Sequence, residues 1–184
     1  ELGRLRTKAI EDGWWDNTLL ILLADHGEAM ADGSFEHGTA LTLEQIHVPL
    51  VIRFPGKVPA GVRVAEPVSV EDVASTVMAL TGLDVGRRLP GTSLTDFFLP
   101  GPGVSREPAP VMSALTDVNY MPPLNLKSIV ADGFQFVYDV NASTAHLYAL
   151  ADTAGRVDLS GQPELAGVMN RAREALRVQE SSRR

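Results

Sequence analysis

The sequence predicts an α/β core followed by a small antiparallel subdomain that a terminal helix packs against. Three observations predict it. Six apolar residues, Leu19 to Ala24, run without alternation and stop at Asp25-His26-Gly27-Glu28. A strand buried on both faces of a sheet reads this way, and periodicity alone also admits a buried helix. Ser69-Val-Glu71-Asp72 has the form of a capping box, opening a helix with Val73, Val77 and Leu80 on one stripe and Gly82 at its stop. Lys127–Ala131 and Phe134–Val140 flank Asp132-Gly133, a two-residue hairpin signal.

The remaining elements follow from local pattern. Glu1 to Asp12 has Leu2, Leu5, Ala9 and Ile10 at helical spacing, and Gly13 ends it. Trp14 and Trp15 read as packing on the flank of the first strand. Ala29 to Thr39 is a polar loop, Leu41 to Ile46 one or two helical turns, and His47 to Arg53 a second strand with Pro49 near its start. Gly82 to Pro110 reads as a long surface connection with a short helix at Ser93–Phe98. Val111–Leu115 and Ala145–Leu150 add strands to the hairpin. Pro163 opens a helix with Leu165, Val168, Met169, Ala172 and Leu176 on one stripe, and Ser181 to Arg184 should fray. The division implied is residues 1–100 as core and 101–184 as subdomain.

With 184 residues, 45% of them hydrophobic, the chain can bury one core and a small appendage. Its net charge of -7 is interspersed, so nothing resembles the basic patch that nucleic acid requires. The absence of cysteine excludes disulfides, thiolate ligands and a cysteine nucleophile within these residues. No run approaches the length of a membrane span, and no signal peptide is visible. The opening at Glu1, inside a helix, predicts that an N-terminal part precedes it.

Asp25 and His26 stand just beyond a strand, where ligands collect in open α/β sheets. A carboxylate beside a neutral imidazole suits a divalent cation, with Mn, Zn or Fe favoured over Ca and Mg. Glu28 is placed to orient the ligating ring. His37, eleven residues after His26, can return across the loop to contact an anionic substrate oxygen or protonate a leaving group. Glu28, Glu36 and His37 also read as solvated loop groups, and His47 and His146 as structural. Two ligands do not complete a site, since metals normally take at least three from protein.

A series of motifs then carries a resemblance. Leu2-Gly-Arg-Leu, Trp15-Asp-Asn-Thr-Leu, Ala24-Asp-His-Gly-Glu28 and His47-Val-Pro-Leu-Val-Ile-Arg-Phe-Pro-Gly56 occur in order. Asp72, Thr76, Leu80, Gly82 and Leu83, then Leu89-Pro-Gly-Thr-Ser-Leu94, Leu147-Tyr-Ala-Leu-Ala-Asp152 and Pro163-Glu-Leu continue it. Taken together they resemble the C-terminal half of a sulfatase, a family of the alkaline phosphatase superfamily. The resemblance implies part of a doubly wound mixed sheet with a small C-terminal antiparallel subdomain, in an enzyme hydrolysing sulfate esters. It implies that Asp25 and His26 are metal ligands and that His37 contacts the substrate's anionic group. The Asp-His pair, where many sulfatases have Asn and bind calcium, also resembles phosphonate and phosphodiester hydrolases that use manganese or zinc. Hydrolysis of those esters, or phosphoglycerol transfer, is the competing reading; a non-catalytic anion-binding module is another.

The family's nucleophile, a formylglycine, belongs to its N-terminal half, and nothing here matches it; Ser105-Arg-Glu-Pro lacks the spacing. These residues alone are therefore expected to be inactive and to need the N-terminal half of the same protein. The resemblance implies a small-molecule or glycan ester as substrate and a periplasmic or extracellular setting.

Overall fold

The computed structural model describes residues 1–30, 36–86, 89–99, 109–119 and 121–182. Residues 31–35 of the predicted polar loop, 87–88 and 100–108 of the predicted connection, and 183–184 of the predicted frayed tail lie outside the described residues. The chain forms two compact units, Glu1–Ala24 with Pro49–Glu107 and Asp25–Val48 with Pro108–Arg184. The sequence-based division runs linearly at residue 100, whereas Asp25–Val48 groups with the late residues.

In the first unit, helix α1 (Leu2–Glu11) leads through a 3-10 turn at Trp15–Asn17 to strand β1 (Leu20–Leu23). Strand β2 (Leu50–Arg53) pairs with it antiparallel, Leu20 opposite Arg53. The predicted second strand began at His47; pairing begins only after Pro49, which has no N–H to give a ladder. The expectation that β1 is buried on both faces needs correction. Leu22 and Leu23 are 36% and 39% exposed, because only two strands cover each other here among the described residues. Trp15 packs as expected: the Arg53 guanidinium lies over its ring at 4.1 Å and binds its carbonyl at 2.7 Å.

With helix α2 (Leu43–Ile46) in the second unit, the next helix of the first is α3 (Asp72–Thr81), which ends at Gly82, whose φ of 72° is the left-handed cap the sequence predicts. Its start keeps one arm of the capping box, since Asp72 accepts the Ser69 N–H at 3.1 Å. The Ser69 hydroxyl serves Glu71 instead. The buried stripe is Asp72, Thr76 and Leu80 rather than Val73 and Val77. Its polar members have work to do. Asp72 also accepts the Thr92 N–H at 2.7 Å, and Thr76 Oγ1 accepts the Leu94 N–H at 2.9 Å. The Leu89–Leu94 motif is thereby strapped to α3. Gly91 has φ +76° there, and a Cβ would stand 2.7 Å from the Asp72 nitrogen, so no other residue fits. A short helix α4 (Thr95–Phe98) follows.

The second unit is a four-stranded antiparallel meander, β3 (Val111–Asp117), β4 (Leu124–Ala131), β5 (Phe134–Asp139) and β6 (Thr144–Ala149), in that order. Asp132 and Gly133 turn the β4–β5 hairpin with φ of 54° and 80°, the two positive values a type I′ turn demands. After a 3-10 turn at Pro163–Leu165, helix α5 (Ala166–Ser182) covers one face of the sheet. The helix holds through Ser182, so the predicted fraying from Ser181 does not occur there. Ile129, Phe136 and Leu147 are fully buried against Ala172 and Leu176. Each large side chain so buried contributes about 1.5–3 kcal/mol. The α/β class and the late antiparallel subdomain agree with the sequence; every strand pair among the described residues is antiparallel.

His146 proves structural, its Nδ1–H on Asp158 at 2.8 Å. Burial alone would raise the Asp158 pKa. The His146 hydrogen bond and the N–H groups of Ser160 and Leu147 outweigh it and hold the carboxyl well below the usual carboxylate range. A lowered folded-state pKa gives stability that is full above the ordinary value, about 4, and is lost as pH falls through the folded one. Over a third of the Asp158 side chain meets solvent, so screening limits the effect to about 1 kcal/mol. Asp158→Asn should speed amide exchange at Leu147 and Ser160 about fivefold at pH 7, the gap closing in acid. Equal exchange at pH 7 would contradict this account.

Candidate functional site

Asp25 and His26 follow β1 directly in the chain and belong, with Glu28 and His37, to the second unit. The Asp25 carboxylate accepts the His26 N–H at 3.0 Å, which leaves its other oxygen, Oδ2, turned outward. His26 Nδ1 lies 2.8 Å from the Gly27 carbonyl. A carbonyl can only accept, so Nδ1 carries the proton and Nε2 keeps an open lone pair. That nitrogen is 3.9 Å from Asp25 Oδ2. Asp25 is 91% exposed at its side chain and His26 46%, so both donors are accessible.

His37 does return to this corner. Its ring stacks on His26 with centroids 4.3 Å apart and planes 22° from parallel. Reciprocal main-chain hydrogen bonds between Ala29 and Glu36, at 2.9 and 3.1 Å, close the intervening loop and bring the ring back. Glu28 holds His37 Nδ1 at 3.2 Å. The sequence-based pairing of Glu28 with His26 is therefore corrected: Glu28 orients His37, and the Gly27 carbonyl orients His26. The two rings share one polarity, each Nδ1 occupied and each Nε2 open.

The loop is positioned from the sheet. Thr39 to Ile46, with helix α2 (Leu43–Ile46), covers the face of the meander opposite α5. Gln135 on β5 donates to the Leu41 carbonyl and the Thr153 carbonyl takes the Glu44 N–H at 3.1 Å. Gln45 is buried, and its carbonyl accepts the Gly27 N–H at 2.7 Å. Gly27 is pressed so closely to this turn that a Cβ would overlap the Glu44 carbonyl oxygen. Sequence reasoning missed Gly27, Gln45 and Gln135. A glycine next to a ligand-type pair was the one available signal, since close backbone approach requires it.

The donor set fits half of a divalent metal centre. A carboxylate oxygen and an imidazole nitrogen of fixed tautomer are adjacent and open. No group of three His, Asp or Glu side chains converges among the described residues, so a cation held here would need further ligands. Neither histidine outside the corner joins it: His47 is exposed and His146 is committed to Asp158.

Residues 1–83 match the family described as Sulfatase. The chain is 30% identical, over 180 residues and 91% of its length, to the multifunctional alkaline phosphatase superfamily protein PehA of Trinickia caryophylli. It is 31% identical over 93 residues, half of its length, to arylsulfatase K of Danio rerio, covering 18% of that protein. Among solved structures, the phosphonate monoester hydrolase of Agrobacterium radiobacter superposes with a TM-score of 0.77 at 28% identity, covering 97% of this chain. The chain spans only 35% of PehA and 38% of that hydrolase. The family match enters at α1, passes through Asp25 and His26 and leaves after α3, so residues 1–83 belong with the sulfatase family, and the likeness to PehA carries the kinship with the alkaline phosphatase superfamily along nearly the whole chain.

Proposed function

We propose that this chain is the metal-ligand and anion-contact portion of a metal-dependent hydrolase of anionic esters, sulfate esters first. The observation that carries this reading is the Asp25–His26 pair, with Oδ2 and Nε2 open 3.9 Å apart and the ring held as its Nδ1–H tautomer. Those two atoms would hold one divalent cation, Mn, Zn or Ca. When bound, the cation supplies charge that polarises the ester's anionic oxygens and favours an activated nucleophile. The chain's own contribution is orientation. Gly27 fixes the His26 ring, and Glu28 fixes the His37 ring beside it. His37 Nε2, when protonated, donates to an anionic oxygen or to the departing group. The nucleophile and remaining ligands would come from a part of the protein outside these residues, so this chain alone would not turn over.

A second reading, phosphonate or phosphodiester hydrolysis, is favoured by one observation. The similarity to PehA and to the phosphonate monoester hydrolase runs along nearly the whole chain, whereas that to arylsulfatase K stops at half. The complete protein, loaded with Mn, should hydrolyse aryl sulfate, and the ratio of kcat/KM on matched aryl sulfate, phosphonate monoester and phosphodiester substrates decides the ester class. No turnover of any of the three, with metal bound and Asp25 and His26 intact, would sink both readings.

A further inference from the structure

We infer that Gln135, on the antiparallel sheet, is a positioning residue for the His26 ring. This rests on the metal-ligand reading of His26 and adds that the late subdomain sets that ligand's direction. Gln135 is 1% exposed and Ser128, diagonal to it on β4, is fully buried. Polar side chains at the centre of a sheet face cost free energy unless their hydrogen bonds are made. Here they are made, and outward. The Gln135 amide nitrogen lies 3.1 Å from Ser128 Oγ and also donates to the main-chain carbonyl of Leu41.

Leu41 belongs to a turn fixed at several points. Leu41 and Leu43 are buried, the Glu44 N–H is taken by Thr153, and the Gln45 side chain stands within 3.4 Å of Thr39 Oγ1 and the Ala40 nitrogen. The next link is the Gln45 carbonyl, which receives the Gly27 N–H; the Gly27 carbonyl in turn receives His26 Nδ1–H. There is no slack in this chain of contacts, because Gly27 has no room for even a Cβ against Glu44. A residue serving only the core at position 135 would be apolar, as Phe134 and Phe136 are on the other face. The buried donor aimed at Leu41 instead ties the height of the turn, and with it the Gly27 carbonyl that selects the His26 tautomer, to the sheet.

The test uses the complete protein with Gln135→Met, which keeps shape but removes the donor, and Gln135→Glu, which sets an acceptor against the Leu41 carbonyl. Imidazole 15N spectra of metal-free protein, with His26 assigned by its loss in His26→Ala, read the tautomer directly. Wild type should show the Nδ1–H form; both variants should show a mixture with Nε2–H. Their Mn dissociation constants should rise about tenfold. Ile129→Val, under α5 on the opposite face, should leave spectrum and affinity within about twofold. A folded Gln135 variant with the wild-type His26 spectrum and Mn affinity would overturn the inference. Should His26→Ala bind Mn as tightly as wild type, the ligand reading itself falls, and the tautomer spectra alone judge the role of Gln135.

Discussion

His26→Ala in the complete protein should lower kcat/KM toward its best anionic ester at least about a thousandfold, roughly 4 kcal/mol of transition-state stabilisation. Bound metal, measured by elemental analysis after dialysis, should fall with it. The magnitude follows from the role assigned: Nε2 is one of two open donors here, and its partner Asp25 Oδ2 is 3.9 Å away on a freely exposed side chain. Without Nε2 this corner keeps one exposed carboxylate to add to the ligands that lie outside these residues. His37→Ala should behave differently, losing about a hundredfold in rate while metal content stays at the wild-type level. Its ring stacks on His26 at 4.3 Å and would not itself hold the cation. If His26→Ala kept both metal and a tenth of its activity, the pair would be an ordinary turn and the metal assignment would be wrong.

What could be read from sequence was whatever neighbouring residues decide. Helix α1, the left-handed cap at Gly82, the Asp132-Gly133 turn and the stripe of α5 each depend on residues a few positions apart, and each formed as expected. The apolar run before Asp25 was legible as a strand, but its burial was not. Burial belongs to the whole sheet, and Leu22 and Leu23 find too few neighbours among the described residues. At the site, the presence of Asp25, His26, Glu28 and His37 could be named, while the pairing could not. Which ring Glu28 reaches depends on how the loop returns through the Ala29–Glu36 bridge, a fact of three dimensions. The glutamines were least visible of all. In Phe134-Gln-Phe-Val the alternation places Gln135 away from α5, which reads as a solvent face. That face is in truth covered by a segment 94 residues earlier in the chain.

Gly27→Ala should be as damaging as loss of the His37 ring, without touching any group that reacts. Gly27 needs no unusual backbone angle; what it needs is space. An added Cβ would overlap the Glu44 carbonyl oxygen and approach the Glu44 carbonyl carbon to 3.0 Å. Both are main-chain atoms of a turn held by Gln135 and Thr153, so they cannot swing aside as a side-chain tip would. Relief must come from the other side, by pushing residue 27 outward and breaking the 2.7 Å hydrogen bond to Gln45. The strain amounts to about 1–3 kcal/mol of stability, and a displacement near 1 Å of the carbonyl that holds His26 costs about a hundredfold in rate. Thermal melts and kcat/KM on the complete protein measure the two effects separately. Gly167→Ala provides the contrast, since its nearest neighbour is the flexible Arg171 guanidinium at 3.8 Å; rate and melting point should barely move. Equal tolerance of alanine at 27 and 167 would mean that the turn yields freely, and that the sheet does not hold His26 in place.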